Sequence, residues 1–111
     1  MSTVLIGNVT ADPQVKFMES GKAIATFSVA VKRGKQGEEH TSFFDCAAFG
    51  SIASNIADSF RKGDRVILSG ELKQRTYEDK NGNKRSAVEL QIDGAGHDLR
   101  WAQSVATKVS E

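Results

Sequence analysis

A chain of 111 residues, 39% hydrophobic and 26% charged, has the size and composition of one globular domain. Fifteen lysines and arginines oppose 14 acidic residues, and the net charge of +1 excludes a strongly basic, histone-like binder and a strongly acidic chain. The single cysteine, Cys46, excludes an internal disulfide and a cysteine-based zinc site. The two histidines, His40 and His97, lie far apart along the chain, so we expect no metal site.

The N-terminus and the cysteine content indicate the compartment. The first residues form a short apolar run without a positively charged region, which is not the pattern of a signal peptide. No stretch approaches the roughly 20 apolar residues that a membrane span needs. One cysteine suits a reducing environment. We therefore expect a soluble, cytoplasmic domain with no membrane partner.

Alternating hydrophobic residues predict strands along the first half of the chain. The first strand begins at Val4, breaks over residues 8–13 and resumes over residues 15–18, because Pro13 restricts the residue before it. A turn and a polar loop separate the next two predicted strands, which cover residues 23–31 and 41–49.

A helical pattern follows over residues 51–62, where large apolar residues recur every four positions, at Ile52, Ile56 and Phe60. Ser51 suits the N-cap of this helix, and Gly63 suits the position just after its end.

Strands return over residues 65–77 and 85–93. The Asn81-Gly82 pair between them predicts a hairpin. Gly94 and Gly96 predict a hinge, and residues 97–105 predict a last strand.

This order of elements predicts an all-β fold. A single helix cannot cover both faces of a large sheet, whereas it can plug one end of a small closed barrel. We predict a five-stranded OB-fold barrel with one α-helix between strands 3 and 4, plus an extra C-terminal strand. Residues 1–111 then form a single domain, with its core over about 3–93 and the extension strand over about 97–105.

Two strands carry residues that core packing does not explain. On residues 41–49 both faces hold aromatic rings, Phe44 on one and Phe43 and Phe49 on the other, so the alternation is ambiguous. On residues 65–77 one face reads as core, and the opposite face combines an aromatic residue with basic ones, at Lys73, Arg75 and Tyr77. The predicted core face consists of Val66, Leu68 and Leu72.

Such a mixture of rings and cations is typical of nucleic-acid binding. A base that stacks on an aromatic ring contributes roughly 1–3 kcal/mol, and phosphates attract lysine and arginine. Residues 61–85 hold eight basic and four acidic side chains, a local surplus of positive charge.

Other interpretations remain open at this point. We place Phe27, Phe44 and Phe60 in the core and leave Phe17 undecided. Phe43 and Phe49 fit a second hydrophobic layer or a subunit contact as well as a stacking surface. Lys73 and Arg75 fit a solvated face, Tyr77 fits a partly exposed strand end, and Cys46 fits an inert core thiol.

Several motifs resemble the bacterial single-stranded DNA-binding proteins, in register from residue 3 to about residue 93. They are Ile6-Gly7-Asn8, Asp12-Pro13, Ser20-Gly21-Lys22-Ala23, Phe49-Gly50, Lys62-Gly63-Asp64-Arg65-Val66, Gly70-Glu71-Leu72 and Asn81-Gly82. The segment Leu99-Arg100-Trp101-Ala102 is similar to the actinobacterial branch and its phage-borne homologues, in which an extra C-terminal strand clamps two subunits together.

The resemblance implies specific roles. Stacking rings are expected at Phe43, Phe49 and Tyr77, and a subunit clamp at Trp101. Phosphate contacts are expected at Lys32, Arg33, Lys62, Lys73, Arg75 and Arg85. The family forms homotetramers, as dimers of dimers, that bind and protect single-stranded DNA during replication, recombination or repair. The resemblance therefore implies a nucleoid-associated, cytoplasmic protein that is not an enzyme and has no cofactor.

Three departures from the family pattern bear on these expectations. The loop over residues 32–39 lacks the aromatic residue that many members carry there. Asp45 takes a position that is often basic, and we expect it to form a salt bridge across the strand. The sequence ends at Glu111 without the acidic tip that recruits other proteins, so tail-dependent partners are not expected. The sequence leaves open whether this tip is naturally absent.

Two other function classes compete with DNA binding. The same barrel could bind RNA or a protein partner. A nuclease would need convergent carboxylates, whereas the acidic residues here are scattered and share no Asp-x-Asp spacing. We therefore favour sequence-independent binding of single-stranded DNA over both alternatives.

Overall fold

The computed structural model describes residues 2–35 and 37–109. Residues 110 and 111, where the sequence ends without an acidic run, lie outside the described residues. The described chain forms β1 (Thr3–Val9), β2 (Gln14–Phe17), β3 (Ala23–Arg33), β4 (His40–Phe49), α1 (Ser51–Ser59), β5 (Arg65–Glu78) and β6 (Lys84–His97).

The strands close into a barrel. β1 pairs antiparallel with β5, β5 with β6, and β4 with β3. The parallel pairing of β4 with β6, in which Cys46 lies opposite Leu90, joins the two halves of the sheet. β3 then returns to β1 where Val29 lies opposite Val9. This closed, mostly antiparallel sheet with one helix confirms the predicted OB-fold.

β1 and β2 are two halves of one bent strand, since both pair with β3. The bend lies over residues 10–13, at the predicted interruption before Pro13. It is fixed by Thr10, whose N–H donates to the Ser28 carbonyl at 3.0 Å and whose hydroxyl lies 2.6 Å from that of Ser28. Counted as one, the bent strand gives the described barrel its five strands, and α1 follows the third of them.

The core fills the barrel with the inward-facing residues of each strand. Val29, Val66, Leu68 and Leu90 are completely buried. The rings of Phe27 and Phe60 meet edge to face at 6.0 Å between centroids, and Phe44 packs against this cluster from its margin. The predicted core positions of Phe27, Phe44 and Phe60 are therefore confirmed.

The helix is shorter than predicted and is capped differently. Gly50, not Ser51, is the N-cap, with a φ of 85° that favours glycine. Its N–H donates to the carbonyl of Ala23 at 2.9 Å and so ties the helix start to β3. At the other end Phe60 is the C-cap and adopts an extended conformation, which ends the helix at Ser59. The Arg61 guanidinium donates to the Ala57 and Phe60 carbonyls at 2.7 Å.

The predicted hinge at Gly94 and Gly96 is wrong, because β6 continues through both glycines to His97. The irregularity lies instead at a bulge, where Ser69 pairs with Gly94 and Gly70 pairs with Ile92. Asp93 is the extra residue, and its carboxylate accepts a hydrogen bond from the Ser69 hydroxyl at 2.7 Å.

The structure has no separate strand over residues 97–105. β6 ends at His97, and residues 98–109 contain no strand. Asp98 turns the chain away from the sheet. Its N–H donates to the Arg65 carbonyl at 2.9 Å, and its carboxylate accepts from the Arg65 Nε at 2.7 Å and from the Arg100 N–H at 3.1 Å. Within the described residues, no helix is long and apolar enough to cross a membrane.

We predict that Gly70→Ala destabilises the barrel by about 1–3 kcal/mol, because its Cβ would meet the Gln91 carbonyl on β6. Gly96→Ala is the matched control, since no atom lies within 4 Å of the added Cβ. Urea unfolding of both variants measures the effect. Equal stability of the two variants would contradict the packing argument.

Candidate nucleic-acid interface

The rings of β4 divide between the two faces of the sheet. Phe43 is 70% exposed and Phe49 is 38% exposed, whereas Cys46 and Ala48 on the opposite face are buried. The structure therefore resolves the ambiguity of the alternation, because the exposed rings belong to the outer face. Ala47 also has outward parity, yet it is 2% exposed and lies outside the core cluster.

The register of the sheet joins these rings to the basic residues of β5. Asp45 lies opposite Glu89 of β6, and Glu89 lies opposite Lys73 of β5. Because residues directly opposite each other share a face, the outer side chains of β4, β6 and β5 form one surface. We call the surface formed by Phe43, Phe49, Lys73, Arg75 and Tyr77 the β4–β5 face.

Beyond Gly70, β5 and β6 leave the barrel as a hairpin, in which every residue from 71 to 78 is exposed. Tyr77 is 47% exposed and lies opposite Arg85. The Arg75 guanidinium lies 6.0 Å from the centroid of the Tyr77 ring. The hairpin therefore presents an aromatic ring between two arginines.

Asp79 holds the end of the hairpin that the Asn81-Gly82 pair predicted. The Asp79 carboxylate accepts hydrogen bonds from the N–H groups of Asn81 and Asn83 and from the Arg85 Nε, all at 2.9 Å. The hydrogen bond from Arg85 is the main cause that lowers the pKa of Asp79. This loop confirms the predicted hairpin.

The predicted core position of Leu72 is wrong, because Leu72 is 46% exposed. Leu72 has the inward parity, opposite the buried Leu90. It lies where the hairpin leaves the barrel, so little of the core remains to cover it. Val88, farther along the same side of the hairpin, is 53% exposed for the same reason.

The predicted phosphate-binding residues are distributed unevenly. Lys73, Arg75 and Arg85 lie on or beside the β4–β5 face, and Lys32 follows Ala30 on the outer side of β3. Lys62 lies apart, in the turn after α1, where its N–H donates to the Asp12 carboxylate at 2.8 Å. Arg33 has the opposite parity to Lys32. The structure therefore brings some of the predicted cations together and leaves Arg33 and Lys62 outside the face.

Two of these cations form exposed ion pairs, Lys73 with Glu71 at 3.1 Å and Arg85 with Asp79 at 2.9 Å. Exposed pairs of this kind contribute little to stability and are weakened by salt. Among the described residues, Lys32, Arg33, Lys62 and Arg75 form no ion pair.

The salt bridge expected for Asp45 is absent from the described residues. Its cross-strand neighbours are Ser28 on β3 and Glu89 on β6, neither of which is a cation. The nearest basic residue in that row, Lys73, binds Glu71 instead. Asp45 therefore stays exposed and unpaired in the middle of the β4–β5 face.

A second cluster lies elsewhere on the barrel, around Trp101, which is 70% exposed. The guanidinium groups of Arg65 and Arg100 lie 4.8 and 4.5 Å from its ring centroids. The hydrogen bond from Arg65 is the main cause that lowers the pKa of Asp98. Sequence reasoning missed the contact of Trp101 with Arg65, since 36 positions separate them and no local pattern signals it.

His97 fastens the segment that follows this cluster. Its Nδ1 lies 2.8 Å from the Ser104 hydroxyl and its Nε2 lies 3.2 Å from the Asp64 carboxylate. Its ring packs on Phe60 with 5.3 Å between centroids. The half-buried His97 ring therefore joins the C-terminal segment to the barrel.

A small closed barrel with exposed rings beside lysine and arginine defines an oligonucleotide-binding module. The model of the single-strand binding protein family matches residues 1–98. The chain belongs to this family.

The chain is also similar to single-stranded DNA-binding proteins of actinobacteria. Single-stranded DNA-binding protein of Mycobacterium tuberculosis is 38% identical over 113 residues, covering 96% of this chain and 69% of the relative. That of Paenarthrobacter aurescens is 41% identical over 109 residues, covering 90% and 63%. Single-stranded DNA-binding protein 2 of Streptomyces coelicolor is 40% identical over 115 residues, covering 96% and 57%.

Beneath the β4–β5 face, Cys46 is expected to be unreactive in the folded protein. Burial, followed by the negative charges of Asp45 and Glu89, raises the pKa of its thiol from 9.0 to about 12. At pH 8 a thiol reagent should therefore modify the protein only after denaturation, since the thiolate is the reactive form. Rapid reaction of the native protein would contradict this assignment.

The same shift predicts the pH dependence of stability. The pKa of the Cys46 thiol is 9.0 in the unfolded chain and about 12 in the folded protein. The contribution of this thiol to the free energy of unfolding is therefore fully present below pH 9 and is lost as the pH rises between these values. The free energy of unfolding should fall more steeply over this window than in Cys46→Ala, which lacks the titrating group.

Proposed function

We propose that this protein binds and protects single-stranded DNA, without catalysis, without a cofactor and with little base preference, during replication, recombination or repair in the cytoplasm. One observation carries the proposal: the 70% exposed ring of Phe43 shares a sheet face with Lys73 and Arg75. Unlike an isolated exposed ring, a ring beside cations on one face offers a stacking surface next to positive charge. Bases and phosphates together match such a surface.

In this proposal Phe43, Phe49 and Tyr77 stack on bases. Phe43 and Phe49 lie six residues apart on β4, which separates them by about 20 Å at roughly 3.3 Å per residue. Several nucleotides of a bound strand therefore span the distance between the two rings. Tyr77 extends the path of the strand onto the hairpin. Stacking of this kind accepts every base, which supports low sequence specificity.

The cations contact the phosphates of the same strand. Arg75 is the strongest candidate, because it is exposed, has no ion pair among the described residues and lies beside the Tyr77 ring. Lys73 and Arg85 exchange their exposed carboxylate partners for phosphates. Lys32 extends the path along β3. Arg33 and Lys62 contact phosphates beyond the face.

Binding measured at equal length and salt on single-stranded DNA, single-stranded RNA and duplex DNA tests this function. The proposal requires the tightest binding to single-stranded DNA. Tighter binding to RNA would favour the alternative, an RNA-binding module, and equal binding to all three would contradict the proposal. A labelled strand that stays intact with Mg²⁺ present supports the absence of catalysis.

Removing a stacking ring should weaken binding. Phe43→Ala is expected to lose about 1–3 kcal/mol of binding free energy with little change in the melting temperature. The matched control is Phe17→Ala, since Phe17 is 72% exposed but lies on the edge strand β2, outside the β4–β5 face. Fluorescence titration measures both variants. A loss of stability with unchanged affinity would return Phe43 to a structural role.

We also propose that the subunits assemble as a homotetramer, a dimer of dimers. Supporting this, β1 and β5 carry apolar side chains that face outward, with Val4 61%, Ile6 41% and Ile67 38% exposed. Ile6 and Ile67 lie opposite each other, so these side chains form one patch. Arg65, which contacts Trp101, continues the same side of β5. In this proposal Trp101 extends the contact as a clamp between subunits.

If Trp101 clamps two subunits, Trp101→Ala should lower the mean oligomer mass at low protein concentration. Val105→Ala is the control, because Val105 is 92% exposed and lies in the same C-terminal segment. Mass photometry or analytical ultracentrifugation over a dilution series measures the change. An unchanged mass in Trp101→Ala would reject the clamp.

A further inference from the structure

Two carboxylates lie at the centre of the β4–β5 face, where stacking and phosphate binding alone would not place them. Asp45 is on β4 between the exposed rings, two residues from Phe43 and four from Phe49. Glu89 lies directly opposite Asp45 on the neighbouring parallel strand. The same surface that presents rings to bases thus presents a pair of negative charges between them.

No neighbour among the described residues neutralises this pair. The Ser28 hydroxyl opposite Asp45 is hydrogen-bonded to that of Thr10 at 2.6 Å. Lys73, opposite Glu89, directs its Nζ to Glu71 at 3.1 Å. Both carboxylates act on the Cys46 thiol beneath them, where their charges add to burial in raising its pKa. Among the described residues, no cation is therefore paired with either carboxylate at the face.

The pair determines which side of a bound strand faces the sheet. Phosphates are repelled from Asp45 and Glu89 and attracted to the cations on β5 and farther along the hairpin. The backbone then follows the basic side while base edges approach the carboxylates. A carboxylate accepts a hydrogen bond from the exocyclic amino group of cytosine, whereas thymine presents an acceptor oxygen and a methyl group there.

We propose that Asp45 and Glu89 contact base edges on the β4–β5 face and favour cytosine over thymine in the bound strand. This inference rests on the proposed function and deepens it, since a mild base preference is added to binding that otherwise accepts every base. The pair stands where the exposed rings of Phe43 and Phe49 hold the bases, so the contact falls within the stacked strand.

The test compares oligodeoxycytidylate and oligothymidylate of equal length at one salt concentration. The ratio of the thymidylate Kd to the cytidylate Kd should fall by about threefold or more in Asp45→Asn, because the amide keeps the shape, loses the charge and gains a donor for the thymine oxygen. Glu89→Gln should act in the same direction. Asp58→Asn is the control, since Asp58 is an exposed carboxylate on α1 and should leave the ratio unchanged.

An unchanged ratio in both Asp45→Asn and Glu89→Gln would overturn the inference. Equal tightening of both ligands would overturn it too, because the carboxylates would then act on phosphates alone. Melting temperatures of the variants identify any loss of fold, and either carboxylate variant suffices if the other is unstable. Failure of the unaltered protein to bind either oligonucleotide would contradict the proposed function itself, which separates the two results.

Discussion

The parallel contact of β4 with β6 is the interaction on which the rest of the structure depends. It covers only the three residue pairs from Asp45–Glu89 to Ala47–Gln91, yet it joins the two antiparallel halves of the sheet into a barrel. Closure gives the inward residues of every strand a common interior, which Leu90 and Cys46 help to fill from the two sides of the contact. It also sets the relative position of the β4 rings and the β5 cations, which no local contact along the chain could fix.

The chemistry of the outer face follows from this closure. A sheet that buries one side of each strand must present the other side to solvent, and here that side carries exposed phenylalanines on β4 and arginine and tyrosine on the hairpin. In the proposed complex the rings contribute contact area at a low conformational cost, because they have only two side-chain torsions. The cations contribute long-range attraction that weakens with salt. In the inference drawn above, Asp45 and Glu89 limit where this attraction acts. Membership of the single-strand binding protein family agrees with such a surface.

Much of the fold could be predicted from the sequence, because strand alternation is a local property with a period of two. The strands, the bend before Pro13, the hairpin at Gly82 and the core rings Phe27 and Phe60 all depend on near neighbours. Features that depend on contacts between residues far apart along the chain could not be predicted. Gly50 caps the helix and its N–H bonds to the distant Ala23 carbonyl. Asp45 lacks a cation because of a parallel register that no local pattern encodes. The alternation along β5 predicted that the Leu72 side chain points inward. It could not show that the barrel ends beside Leu72 and leaves this side chain exposed.

The hairpin beyond Gly70 has a consequence for how binding energy is used. From residue 71 to residue 89 it contains no buried side chain, so its ladder is held by backbone hydrogen bonds, the Asp79 loop and exposed ion pairs. Segments with so few apolar contacts open at a lower free-energy cost than the core. A strand that contacts Tyr77 and Arg75 must therefore restrict the motion of the hairpin as it binds, and this entropic cost is subtracted from the stacking energy. In the proposed complex, Phe43 and Phe49 stand on the closed barrel, whereas the hairpin becomes ordered as the strand binds.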